Sequence, residues 1–211
     1  MVTEVKSIQQ LKDEFELLKS SDNLAFIRFY ENNIQSIDNI DSTKDEDSYD
    51  FKLRLICEYG LSLSGGGQYT KAVSILEKAI TMFENQPNYP DFDPGNNSYL
   101  EHLLWNYGLV LWEVNQINNS IKVFKRLVSY YPENDKYRNW LSGLKARKIR
   151  RISNPLWVAV LVWLLGDLII YNRFDTKTRL VLSIIGFILL VSVLLLELII
   201  QIVKRKKSTK A

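Results

Sequence analysis

This 211-residue chain has one histidine, His102, and one cysteine, Cys57. With no second member of either type, no multi-histidine or cysteine-rich metal site can be assembled, and no Cys–His pair gains a third partner. A lone thiol also excludes an internal disulfide, which suits a reducing compartment. Glycine (9) and proline (5) are sparse. The one glycine run, Gly65, Gly66 and Gly67, has no Lys-Ser/Thr pair after it and no strand pattern before it, so it reads as a turn between helices and not as a phosphate loop. Alternating strand patterns and Asn-Gly hairpin signals are missing, whereas apolar residues recur at helical spacing. The predicted fold class is all-α. No catalytic constellation, metal site or cofactor is expected.

Positive charge is scarce in the first two thirds. Residues 1–144 hold 14 Lys+Arg against 21 Asp+Glu, a net −7, and 145–211 hold 13 against 3, a net +10. The overall +3 therefore hides an acidic head and a basic end. That basic end flanks two apolar runs, 155–171 and 180–203. The second is 24 residues long, roughly 36 Å as a helix, enough for a hydrocarbon core of about 30 Å. The first is 17 residues, with Pro155 and Trp157 at one end and Tyr171 at the other. It reads as a second span that starts at the proline. Five basic residues precede the pair (Lys145, Arg147, Lys148, Arg150, Arg151) and five follow it (Lys204, Arg205, Lys206, Lys207, Lys210). The intervening loop, 172–179, has three. Ten against three predicts a multi-pass hairpin with both termini cytoplasmic, and the leaderless segment 1–10 agrees. Anionic lipid headgroups are the partner expected for the basic flanks, and nucleic acid is not expected to bind the acidic head.

Self-comparison of the head shows a repeat. Residues 56–79 and 104–127 align without gaps: Tyr59-Gly60-Leu61 with Tyr107-Gly108-Leu109, Leu63 with Leu111, Ala72 with Ser120, Leu76 with Phe124, Ala79 with Leu127. A bulky residue, an aromatic-Gly pair and a later small residue in this register resemble the tetratricopeptide repeat, a 34-residue helix–turn–helix. Pro132 ends the second copy, but Glu84 stands where the first would have its proline, and Leu63 and Leu111 replace an aromatic. The resemblance implies two repeats at about 53–86 and 101–134 within a domain 51–150. A degenerate helical pair (7–19 and 23–37) and an acidic solvated linker (38–50) would precede them. A capping helix, 135–150, would follow, with Trp140, Leu141 and Leu144 inward. Residues 152–203 would be the membrane hairpin and 204–211 a basic tail. The proline-rich stretch 87–100 is extra relative to the 34-residue period and reads as a loop. Asp91, Asp93 and Asn96 there lack the glycine and distal glutamate of a calcium loop, leaving Tyr89, Phe92 and Tyr99 as contact candidates.

In this family the first helices of successive repeats line a concave surface that takes peptide segments. That places His102, Trp105, Leu109 and Trp112, with Arg54, Cys57 and Leu61, on a partner-binding face. The variant that clamps chaperone tails uses lysine and asparagine there, which these mostly apolar residues do not supply. Two carboxylates fall inside the apolar runs, where ionisable groups carry function by default. Asp167 lies near the loop, within reach of Arg173 or Arg179. Glu197 shares three- and four-residue steps with Ser183, Gly186, Leu190 and Val193, a helix-contact seam for the hairpin itself, a homo-oligomer or a partner subunit. The resulting expectation is a membrane-anchored, non-catalytic scaffold for a protein partner. Its rival is a small structural subunit of a membrane complex, in transport, pore formation or envelope assembly, acting through the hairpin. The abundance of Asn, Ile and Lys leans towards a bacterial plasma membrane, with an organelle membrane as the alternative. The mitochondrial fission adaptor is similar in architecture, although it has a single span.

Overall fold

A computed structural model describes residues 5–18, 22–85, 94–170 and 175–205, with side chains to Gly166 in the helix ending at 170 and to Ile202 in the last helix. All regular structure among the described residues is helical. The chain divides into two compact units, Met1–Glu133 and Asn134–Ala211.

In the first unit, α1 (Ile8–Glu16) starts at a capping box. The Gln10 N–H donates to Ser7 Oγ, and the Ser7 N–H donates to Gln10 Oε1 at 2.9 Å. Its buried residues are Leu11 and Phe15, and the Phe15 ring meets Phe26, Phe29 and Phe51 at 5.4–6.0 Å. The helix expected over 23–37 is broken into α2 (Asn23–Asn32) and α3 (Ile34–Asp38). Asn33 makes the break: its backbone (φ −111°, ψ 13°) leaves the helical region, its N–H still donates to Phe29 O at 3.2 Å, and its side-chain amide adds a second donor to that carbonyl at 2.9 Å. The acidic stretch 38–50 is not wholly a linker. Asp45 caps α4 (Glu46–Gly65) by accepting from the Ser48 N–H at 2.7 Å, and Glu46 and Asp47 sit in the first turn, where the helix dipole favours them.

Two helical hairpins follow, α4 with α5 (Tyr69–Glu84) and α6 (Ser98–Glu113) with α7 (Ile117–Tyr130). Both turn in the same way. Gly67 has φ +75° and Asn115, 48 residues later, has φ +63°; Gln68 N–H donates to Leu63 O and Gln116 N–H to Leu111 O, at 2.9 and 2.8 Å. These left-handed closures favour glycine or asparagine. Within each hairpin a glycine brings the helices together: the flank of Gly60 meets Leu76, and that of Gly108 meets the ring of Phe124. The Ser120 hydroxyl donates to Gly108 O at 2.7 Å, so the small polar residue is satisfied where it is buried. The fully buried side chains include Ile56, Leu63, Leu76, Leu104, Leu111, Phe124 and Leu127, the positions that the repeat alignment pairs. α2 packs on α4, α5 on α6, and α4 touches α6, as in a stack of hairpins.

Of the extra stretch, Tyr89, Asp91, Phe92 and Asp93 lie outside the described residues. Pro94–Asn96 is a 3-10 turn held by the Tyr131 hydroxyl, 2.8 Å from Pro94 O and 3.0 Å from Asn97 O. Tyr99 belongs to α6: its hydroxyl donates to Glu58 at 3.1 Å and its ring lies 6.0 Å from Phe83.

In the second unit, α8 (Asp135–Ile170) runs unbroken for 36 residues with Pro155 inside it. The capping helix expected at 135–150, leading into the first apolar run, and the residues after Pro155 form one continuous helix. Residues 135–154 contain no proline and hold seven Lys and Arg, which favour a helix, so the helix continues to Pro155 and absorbs its missing N–H. Leu144 is buried, whereas Trp140 and Leu141 are half-buried. α9 (Thr176–Arg205) returns along α8 and buries Gly186, Val193 and Ile200, seven residues apart, while α8 buries Ser153 and Val160. Such heptad spacing is that of left-handed helix pairs. The Trp163 indole occupies the space a Cβ on Gly186 would take.

Candidate partner-binding surface

α4 and α6 are the first helices of their hairpins, and their solvent-facing positions differ in character. On α6, His102 is exposed, and the Asn106 amide lies 3.3 Å from its Nε2 while donating to its carbonyl at 2.9 Å. Leu109 and Trp112 are half-buried. Trp105 is also half-buried, but its ring stands edge-on to Phe124 at 5.4 Å, so part of this residue belongs to the hairpin core.

On α4, Leu61 is half-buried and Arg54 exposed. Cys57, expected to pack or to line the groove, is fully buried. Burial pushes its thiol up to about 12, against the lowering effect of Tyr99, so it is a packing residue and not a nucleophile. The same burial raises Tyr99, with the neighbouring Cys57 and Glu58 adding to it.

Arg54 points towards α1. Its guanidinium lies 5.0 Å from the Phe15 ring and lines a cavity of about 270 Å³ with Lys12, Phe15, Glu16, Asp47, Asp50 and Phe51. Lys12 bridges the same helices, paired with Asp47 at 2.6 Å and 5.4 Å from the Phe51 ring. Desolvation, then Glu46 and Asp47, raises the Asp50 carboxyl above its ordinary value. This cavity was not foreseen. Its signal was the apolar stripe Leu11–Phe15, but a stripe does not say which later helix it will meet. On the other side of α4, Tyr30 stacks on Tyr59 at 3.9 Å, and Glu31 accepts from both Tyr59 and Lys71. Among the described residues no group of three or more His, Cys, Asp or Glu is placed to hold a metal ion.

The residues expected to form one seam on the last helix differ in burial. Gly186 and Val193 are buried against α8, whereas Ser183 is exposed and Leu190 and Glu197 are half-buried. Their alternating three- and four-residue steps keep them on one broad face, of which the Gly186 and Val193 edge meets α8. The side chain of Asp167, and all of Arg173, lie outside the described residues. Among the described residues one helix, Thr176–Ile202, is long and apolar enough to cross a membrane.

Comparison with known proteins agrees with the repeat. The tetratricopeptide repeat model matches residues 53–86 and again 101–134, the spans of α4–α5 and α6–α7. The chain is an all-α protein with two hairpins of this type, a fold whose stacked helices present binding surfaces to other proteins. No curated protein and no solved structure matches it.

Proposed function

We propose that this chain is a membrane-anchored scaffold, without catalysis of its own, that holds a protein partner on its tetratricopeptide-like head at the cytoplasmic face. One observation carries the reading: two interaction repeats share a chain with a helix whose large apolar side chains stand open, from Leu180 at 60% to Phe187 at 67% and Leu195 at 55% exposed. That much apolar surface on one helix calls for lipid or a partner. Val158, Leu161, Val162 and Leu165 of α8 are exposed in the same way, which supports a second span antiparallel to the first. The basic residues at 145–151 and 204–210 then lie at the headgroups and keep both termini cytoplasmic.

The partner-binding residues in this reading are His102, Leu109 and Trp112 of α6 and Arg54 and Leu61 of α4, with Trp105 shared between surface and core. Alkaline carbonate extraction followed by protease protection tests the anchor. The expected result is a membrane-retained protein whose head and tail are digested only from the cytoplasmic side. Release into the supernatant refutes it. His102→Ala with Trp112→Ala, made in the intact chain, should abolish partner capture without loss of membrane retention. Unchanged capture, with loss on Glu197→Leu, favours the rival subunit role.

A further inference from the structure

α9 carries two stripes at alternating four- and three-residue steps. The first is Leu182, Gly186, Leu189, Val193, Leu196 and Ile200, all buried or half-buried, with Trp163 of α8 seated over Gly186. The second runs one residue ahead: Ser183, Phe187, Leu190, Leu194, Glu197 and Gln201. It is rotated from the first by about 100° and spans roughly 27 Å, nearly the thickness of a hydrocarbon core. Phe187 is 67% and Leu194 53% exposed, Ser183 and Gln201 are exposed, and Leu190 and Glu197 are half-buried. The spacing is that of a helix-pairing seam, and α8 leaves Ser183, Phe187, Leu194 and Gln201 of it open.

The polar groups decide what covers this stripe. Ser192, off the stripe, satisfies its hydroxyl within its own helix by donating to Ile188 O at 2.8 Å. Glu197 and Gln201 have no hydrogen-bond partner among the described residues. In hydrocarbon an unpaired carboxyl and amide are costly, whereas hydrogen bonds between helices satisfy them. One offers an acceptor and the other donors, one turn apart on the same face, so the stripe is complementary to itself. A surface that matches its own copy is the requirement of a two-fold interface.

We propose that a second copy of this chain covers the stripe. The two α9 helices lie parallel about an axis along the membrane normal, and the Gln201 amide of each copy donates to the Glu197 carboxyl of the other. Phe187, Leu190 and Leu194 form the apolar part of the contact. This inference rests on the membrane reading above and commits it to one oligomeric arrangement.

The test uses the full chain in phosphatidylcholine vesicles, washed first with alkaline carbonate. Single cysteines are introduced at Leu190→Cys or Leu194→Cys on the stripe, and at Ile188→Cys or Leu195→Cys away from it. Cys57 is buried and stays in place. Mild oxidation should give a cross-linked dimer from the stripe positions and little from the others. Replacing Glu197 and Gln201 by leucine should weaken association roughly threefold to thirtyfold for each interhelical hydrogen bond removed. Protein retained by the vesicles but cross-linked equally at all four positions, or at none, overturns the dimer and leaves the anchor standing. Protein released by the wash overturns both.

Discussion

The closest approach in the head, Gly108 against Phe124, gives the sharpest prediction. A Cβ at Gly108 would lie 2.7 Å from Phe124 Cε2 and 3.1 Å from two more ring atoms. Phe124 is fully buried and held edge-on by Trp105, so its ring cannot swing away. Overpacking of this kind costs about 1–3 kcal/mol, while alanine in place of a mid-helix glycine returns about 0.5–1 kcal/mol. Gly108→Ala should therefore lose roughly 1–2 kcal/mol. At the matching position, the Cβ of Gly60→Ala would meet Leu76 Cδ2 at 2.8 Å. That methyl ends a side chain that can rotate more than a ring, but Leu76 is buried and its Cγ lies at 3.1 Å, so the net loss should be smaller than at Gly108, within about 1 kcal/mol. In the detergent-solubilised full chain, hydrogen exchange of the α6–α7 amides reads Gly108→Ala and that of the α4–α5 amides reads Gly60→Ala, since 1.4 kcal/mol is about tenfold in opening. Phe124→Leu, which shortens the ring, should remove most of the Gly108→Ala penalty in a double-mutant cycle. If Gly108→Ala instead slows exchange, as helix propensity alone requires, the close-packing argument fails.

Gly67→Ala meets no neighbour within 4 Å, so its only cost is the positive φ, about 1–2 kcal/mol, and Gly67→Asn should cost less; denaturant midpoints compare them. Asn97 accepts from the Tyr99 and Leu100 N–H groups at 3.1 and 2.9 Å, so Asn97→Ala should destabilise α6 by about 1 kcal/mol, read as faster exchange in its first turn. The Lys71 hydrogen bond, foremost, holds the Glu31 carboxyl below its ordinary 4.5. A lowered folded value means the contribution is intact above 4.5 and lost as the pH falls through that lowered value. The pair is well exposed, so the effect is about 0.2–1 kcal/mol, seen as a smaller loss of stability between pH 7 and pH 3 in Glu31→Gln than in the parent. Gly186→Leu should drive Trp163 off α9 and reduce cross-linking between the two helices of the hairpin.

The repeats were legible because their signal is local and doubled. Gly60 with Ala72 and Gly108 with Ser120 are needed at one spacing for helices to touch, and the same 48-residue offset relates the Gly67 and Asn115 turns. The break at Asn33 was hidden, since Leu24, Ile27, Phe29, Ile34 and Ile37 keep helical spacing across it and only the backbone of Asn33, at φ −111° and ψ 13°, departs from the helix. Leu24 and Ile34 are in fact exposed, at 58% and 47%. Pro155 marked the start of the first apolar run in the sequence, yet α8 continues through it. The cavity at Arg54 needed tertiary information, because Lys12 and Phe15 meet Asp47 and Phe51 only once α1 lies against α4.

Site-specific photo-cross-linking in native membranes tests the central claim most directly. A photoreactive residue is placed at Leu61 or Leu109 on the first helices, or at exposed Lys78 on α5. The scaffold account predicts that Leu61 and Leu109 give an adduct with one common partner protein and Lys78 gives none. Adducts of equal yield from Lys78, or a partner captured only from positions in α9, would contradict it.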